Sequence, residues 1–153
     1  MKLSTKGRYG LRAMIDLARY SEKEPVALNS IAARQSLSEG YLEQLVALLK
    51  KAGLVEGIRG AGGGYVLARD AKEISAGDIL RALEGSLEPV RCAAFYSEEG
   101  CQAADGCVTK YVWQKINESI RDTVDHIMLD ELVQESKEKN PAGECKDSEC
   151  GRS

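Results

Sequence analysis

The segment from Asn29 to Leu67 constrains the fold more than any other part of the chain. A short helical run from about Asn29 to Gln35 turns Ile31 and Ala32 inward. Ser36-Leu37-Ser38 then interrupts it, and Ser38 is placed to cap a second helix from Glu39 to about Ala52. In that second helix Leu42, Leu45, Val46 and Leu49 fall at i, i+3, i+4 and i+7, a single apolar stripe. Lys50 and Lys51 complement the dipole in its last turn, and Gly53 stops it. Short helix, tight turn and longer helix with a hydrogen-bonding outer face make a helix-turn-helix.

Two short extended runs follow, Leu54–Glu56 and Tyr65–Leu67. Between them, Gly57 to Gly64 holds five glycines in eight residues. A phosphate-binding loop would follow a strand, open a helix and carry GxGxxG or GxxxxGK[ST]. This segment has no Lys-Ser/Thr and leads into a strand, so it is expected to be a hairpin wing with Arg59 at its tip.

Around this unit, Leu11, Met14, Ile15 and Ala18 give a helix over 5–20, and Glu22 to Pro25 is a polar loop. Ser75 and Asp78 have the spacing of a capping box opening a helix with Ile79, Leu80 and Leu83 inside. From Glu84 to Cys107 no period is visible. Beyond it, Val112, Ile116, Ile120, Val124 and Ile127 make a stripe so narrow that it reads as a partner seam, not a core face. The expected organisation is a winged helix-turn-helix over 1–72, a linking helix and cysteine-bearing loop over 73–107, a dimerisation helix over 108–135 and a disordered tail over 136–153. The fold class is mainly α with a small β-hairpin.

The formal charge of −3 hides an asymmetry: residues 1–72 carry a net +5 and residues 73–153 a net −8. A basic front half suits a polyanionic partner, and the acidic half would avoid that partner or dock another. The longest apolar run, Leu45–Leu49, is far below the roughly 20 residues that span a bilayer. Charges at Lys2, Lys6, Arg8, Arg12 and Asp16 leave no room for a signal-peptide core, so a cytoplasmic protein with no membrane contact is expected. No nucleophile–base pair or metal-hydrolase motif is present, which argues against an enzyme. Five cysteines in such a chain favour metal or redox chemistry over structural disulfides.

Three of these cysteines, Cys92, Cys101 and Cys107, are spaced C-x8-C-x5-C among polar residues in the aperiodic stretch. Buried thiols would sit on an apolar face. Structural zinc sites use four ligands in tighter pairs, whereas thiolates suit iron–sulfur clusters.

The stretch Leu3-Ser4-Thr5-Lys6-Gly7-Arg8-Tyr9, the run Ser38–Leu45 with Tyr41-Leu42-Glu43-Gln44-Leu45, and Arg59-Gly60 through Gly62-Gly63-Gly64-Tyr65 together resemble the iron–sulfur cluster regulator IscR. The nitric-oxide-sensing repressor NsrR and the cysteine-metabolism repressor CymR are its relatives. The resemblance covers Met1 to about Val133. It implies a homodimeric winged-helix regulator binding pseudo-palindromic DNA, with the three loop cysteines holding a cluster, of which [2Fe–2S] is favoured.

In that frame Glu43 would accept from a cytosine amino group and Gln44 would pair with adenine, while Ser38 and Tyr41 would contact phosphate or base. Arg59, beside Gly60, would enter a narrow minor groove, and Lys6, Arg8 and Tyr9 would contact phosphate together with backbone N–H groups. The fourth cluster ligand departs from the pattern. The IscR histidine position is Lys110 here, and the NsrR aspartate region offers Arg8. His126 lies about five turns from Cys107, Cys145 and Cys150 sit on the tail, and Glu43 is the candidate carboxylate. The alternatives are a zinc or thiol redox-switch repressor, and a repressor controlled by an enzyme partner of the cysteine-metabolism type.

Overall fold

The computed structural model describes residues 3–90 and 106–145. Cys92, Cys101 and Cys150 lie outside them. Helix α1 (Thr5–Tyr20) is followed by α2 (Leu28–Gln35), α3 (Glu39–Lys51), the hairpin β1 (Val55–Ile58) and β2 (Gly64–Leu67), and a single 3-10 turn at Ala71–Glu73. Then come α4 (Ala76–Glu84), α5 (Lys110–Asp125) and α6 (Leu129–Lys139).

The local signals act as their chemistry requires. The Ser38 hydroxyl accepts from the Tyr41 amide at 3.2 Å, and Ser75 and Asp78 form a reciprocal capping box. The hairpin pairs Val55 with Leu67 and Ile58 with Gly64. Its tip turns through Gly60 and Gly62 at φ of 109° and 90°, the left-handed region that favours glycine. Val26 and Tyr65 exchange both backbone hydrogen bonds at 2.9 Å, fixing the wing to the α1–α2 loop.

One core unites these elements. The stripe Leu42, Leu45, Val46 and Leu49 meets Met14 and Leu17 of α1 and Ile31 of α2, while Ile79 and Leu83 of α4 and Leu129 and Val133 of α6 complete it. Asp16 is buried among them without an unmet polar atom. Arg34 donates to both its oxygens at 2.9 and 2.7 Å, and Gln35 donates at 2.8 Å. This clasp locks α2 to α1, because removing one partner would leave the other desolvated and unpaired.

Two sequence expectations are corrected. The helix expected over 108–135 is two helices, broken at 126–128, because Ser75 and Met128 form a β-bridge that pulls the backbone out of helical geometry. Ala76 donates to Ile127 O and Leu129 to Ile74 O, each at 2.8 Å. The tail expected to be disordered from Ser136 instead continues α6 to Lys139 and then lies along α1 and α2 as far as Cys145. Arg19 binds the carbonyls of Ser136, Asn140 and Pro141, Gln35 that of Gly143, and Ser36 that of Cys145. The Cys145 amide returns a hydrogen bond to Arg34 O at 2.8 Å. Residues 146–153 lie outside the described set.

Candidate nucleic-acid interface and cysteine site

Burying one stripe of α3 forces the opposite face outward. Ser38, Glu43 and Gln44 are exposed there, and Tyr41 is half-buried. Arg59 and Gly60 are exposed at the hairpin tip. An exposed helix face and an exposed hairpin tip therefore extend from the same core.

The first turn of α1 lies beside the start of α3. Tyr41 OH donates to Thr5 Oγ1 at 3.3 Å, and the rings of Tyr9 and Tyr41 meet edge to face at 6.2 Å. Lys6 and Arg8 are exposed. Tyr9 is half-buried, with the Arg12 guanidinium 5.2 Å from its ring centre, so it is built into the α1–α3 junction as well as lying near the surface.

Sequence reasoning missed one residue here. Ser4 makes no side-chain cap on α1, and no acidic residue lies in its first turn. Glu84, the last residue of α4, supplies the missing acceptor. Its Oε1 takes hydrogen bonds from Ser4 N at 2.9 Å, Ser4 Oγ at 2.6 Å and Gly7 N at 3.0 Å. A carboxylate there meets both orphan amides and the positive end of the helix dipole. Gly7 permits the approach, since a Cβ would lie 2.5 Å from the same oxygen. The amides of Ser4 and Gly7 are thus already engaged, which narrows the expectation that backbone N–H groups at this turn take phosphate. No local pattern marks a cap 77 residues away; only the vacancy at Ser4 hints at one.

Cys107 is a half-buried free thiol three residues before α5 begins. Its sulfur lies 3.1 Å from Thr109 Oγ1. The hydroxyl of Thr109, then the backbone amides of Lys110 and Thr109, hold the thiol below its ordinary pKa, which favours the thiolate that metal coordination needs. Cys92 and Cys101 lie outside the described residues. Among the described residues no three metal-binding side chains converge. Lys110 directs its amine over the Tyr111 ring, 5.4 Å from the centre. His126 closes α5, with Nδ1 2.6 Å from Asp122 O. Nineteen residues at a helical rise separate it from Cys107, roughly 28 Å, too far for both to hold one cluster in this arrangement. Cys145 is disulfide-bonded, unlike Cys107.

On α5 no residue is buried: Tyr111 and Val112 are 64 and 51% exposed, and Val108, just before the helix, is 79% exposed. Its stripe borders an apolar groove of about 1550 Å³ shared with Leu3, Leu80 and Leu87. No helix among the described residues is long and apolar enough to cross a membrane.

The model of the Rrf2 family, described as iron-dependent transcriptional regulators, matches residues 3–135. The HTH-type transcriptional regulator IscR of Pectobacterium carotovorum is 44% identical over 133 residues, covering 87% of this chain and 79% of that protein. The IscR of Serratia proteamaculans matches with the same identity and coverage. Among solved structures, T. potens IscR superposes with a TM-score of 0.72 at 47% identity, covering 92% of this chain and 91% of that one. CymR, the global cysteine regulator of B. subtilis, also gives 0.72, at 44% identity, covering 88 and 98%.

Proposed function

The chain belongs to the Rrf2 family of iron-dependent transcriptional regulators, and from that premise we propose that it is a cytoplasmic homodimer that reads a pseudo-palindromic operator and senses iron–sulfur status. The observation that carries this reading is the exposed helix face and the exposed hairpin tip on one core. Glu43 and Gln44 are exposed on a helix whose other face is locked into the core, and Arg59 stands on a glycine-turned tip. Pairing two copies through the uncovered α5 stripe would set two α3 helices toward successive major grooves. Glu43, Gln44, Ser38 and Tyr41 then read bases or adjoining phosphate, Arg59 and Gly60 follow the minor groove, and Lys6, Arg8 and Tyr9 meet the backbone.

Cys92, Cys101 and Cys107 hold the cluster in this reading, and a [2Fe–2S] centre fits three thiolates plus one weaker ligand. Bound, it supplies a redox-active, readily lost group. The chain's part is to present Cys107 as a thiolate through Thr109. Glu43 is the candidate fourth ligand, and that role would compete with base contact. The test is an absorption spectrum with iron and sulfide assays on anaerobically purified protein. About two irons and two sulfides per chain are expected. A sample that stays colourless and metal-free after reconstitution would refute the cluster reading.

A second reading has its own support. Cys107 is a free thiol biased to thiolate, the reactive form that a thiol switch requires. The likeness to a global cysteine regulator keeps control by an enzyme partner in view. Retention of regulation in metal-free protein, abolished by a thiol reductant or restored by a captured partner, would favour it.

A further inference from the structure

The C-terminal end of α4 and the start of α3 each hydrogen-bond to neighbouring residues in the first turn of α1. Glu84 Oε1 holds Ser4 and Gly7 at 2.6–3.0 Å. Between those two residues, Thr5 receives the hydroxyl of Tyr41, whose own amide is held by the Ser38 cap. The Glu84–Ser4 and Tyr41–Thr5 links span elements that the chain connects only at long range, the partners lying 80 and 36 positions apart. We infer that Glu84 is a positioning residue for DNA recognition: its carboxylate sets the first turn of α1, and through Thr5 and Tyr41 that turn sets the entry of α3 into the groove. This inference rests on the DNA-reading assignment of α3 and deepens it.

The physical reason is that α1 has no cap of its own. Without Glu84, the amides of Ser4 and Gly7 lose the side-chain acceptor that holds them and the turn frays. Fraying displaces Lys6 and Arg8, which lie in that turn, and releases Thr5 from Tyr41. Phosphate contacts fix register while base contacts specify, so losing the anchor affects both. Glu84 is also the last helical residue before the cysteine-bearing stretch.

The test uses the full chain and the best duplex that the wild-type chain selects from a randomised pool, with a scrambled duplex as reference. Glu84→Ala is expected to weaken the selected duplex about tenfold and the scrambled one less, and to reduce the salt slope by about 1, as when one phosphate contact is lost. Glu84→Gln keeps the acceptor oxygen and is expected to stay within about threefold of wild type. In hydrogen exchange, Glu84→Ala should speed the amides of Tyr41 and Leu42 as well as those of Ser4 and Gly7. Tyr41→Phe should speed Ser4 and Gly7 little and reproduce part of the selectivity loss.

Faster exchange confined to residues 4–7, with unchanged affinity and selectivity, would reduce Glu84 to a local cap and overturn the inference. Tighter binding by both Glu84 variants would overturn it too, since charge repulsion would then be its only role. Failure of the wild-type chain to select any duplex would refute DNA reading itself, while the exchange data would still decide whether Glu84 reaches α3.

Discussion

Helices α3 and α5 both carry a periodic apolar stripe, broad in α3 and narrow in α5, and meet opposite ends. Both have an apolar residue every three or four positions. In α3, Leu42, Leu45, Val46 and Leu49 are at most 4% exposed. In α5, three residues longer, nothing is buried. Periodicity shows that a face is apolar, and the width of the stripe bears on what covers it. The α3 face is satisfied within one chain, whereas the α5 face adjoins an apolar groove and suits a second copy.

The sharpest way to break this contrast is to truncate each stripe. Leu42 is completely buried, so Leu42→Ala should remove about 3 kcal/mol of stability, through lost transfer energy plus a cavity. Denaturant unfolding at fixed protein concentration would read that loss. A loss below about 1 kcal/mol would show that the α3 site collapses around the gap. On α5 the charge should fall on association instead. If α5 forms the proposed dimer seam, Ile120→Asp places a carboxylate on it and should raise the dimer dissociation constant about a hundredfold, about 2.7 kcal/mol. Sedimentation should then show a monomer that keeps the winged-helix signal. A variant that still sediments as a dimer would move the interface away from α5.

The smallest effect concerns how α5 is held to its own chain. Arg81 grips both oxygens of Asp125 at 2.6 and 3.0 Å, and this holds the Asp125 carboxyl below its ordinary value. Its contribution is therefore present above the unfolded carboxylate pKa and is lost as pH falls through the lowered folded value. The pair is 36% exposed on each side, so solvent screening limits it to about 0.5 kcal/mol. Asp125→Asn should flatten the acid limb of stability by that amount in denaturant melts compared between neutral and acidic pH. An unchanged limb would mean that the clip adds nothing to the fold.

Local chemistry made most of the winged-helix unit legible. The Ser38 cap, the Ser75–Asp78 box, the Gly53 stop and the glycine-rich tip are each set by residues adjacent in sequence. The break after α5 was hidden because Ile127 continues the stripe, while the bridge from Ser75 to Met128 that ends the helix joins residues 53 positions apart. The tail read as disordered because its own side chains are small or charged; the groups that hold it, Arg19 and Gln35, belong to α1 and α2. Glu84 is the same case in the site. The exposed set Ser38, Glu43, Gln44 and Arg59 followed from knowing which face is buried, but a cap contributed from α4 leaves no mark beside α1. Of the cysteine triad, Cys107 alone falls within the described residues.

The docked tail has a consequence for sequence drift. Arg19, Gln35 and Ser36 grip it almost entirely by main-chain carbonyls, which every amino acid possesses. Side chains at 141, 142 and 144 can therefore be exchanged without loosening the strap. Asn140 and Gly143 are the exceptions: the Asn140 side chain accepts from the Gly143 amide at 3.2 Å and donates to Glu144 O at 2.9 Å, while the φ of 72° at Gly143 and the Tyr20 ring against it leave no space for a side chain there. Copies of such a strap in diverging lineages would share little spelling beyond Asn140, Gly143 and Cys145, yet shortening the chain at Lys139 would remove all of it except the Ser136 contacts at once.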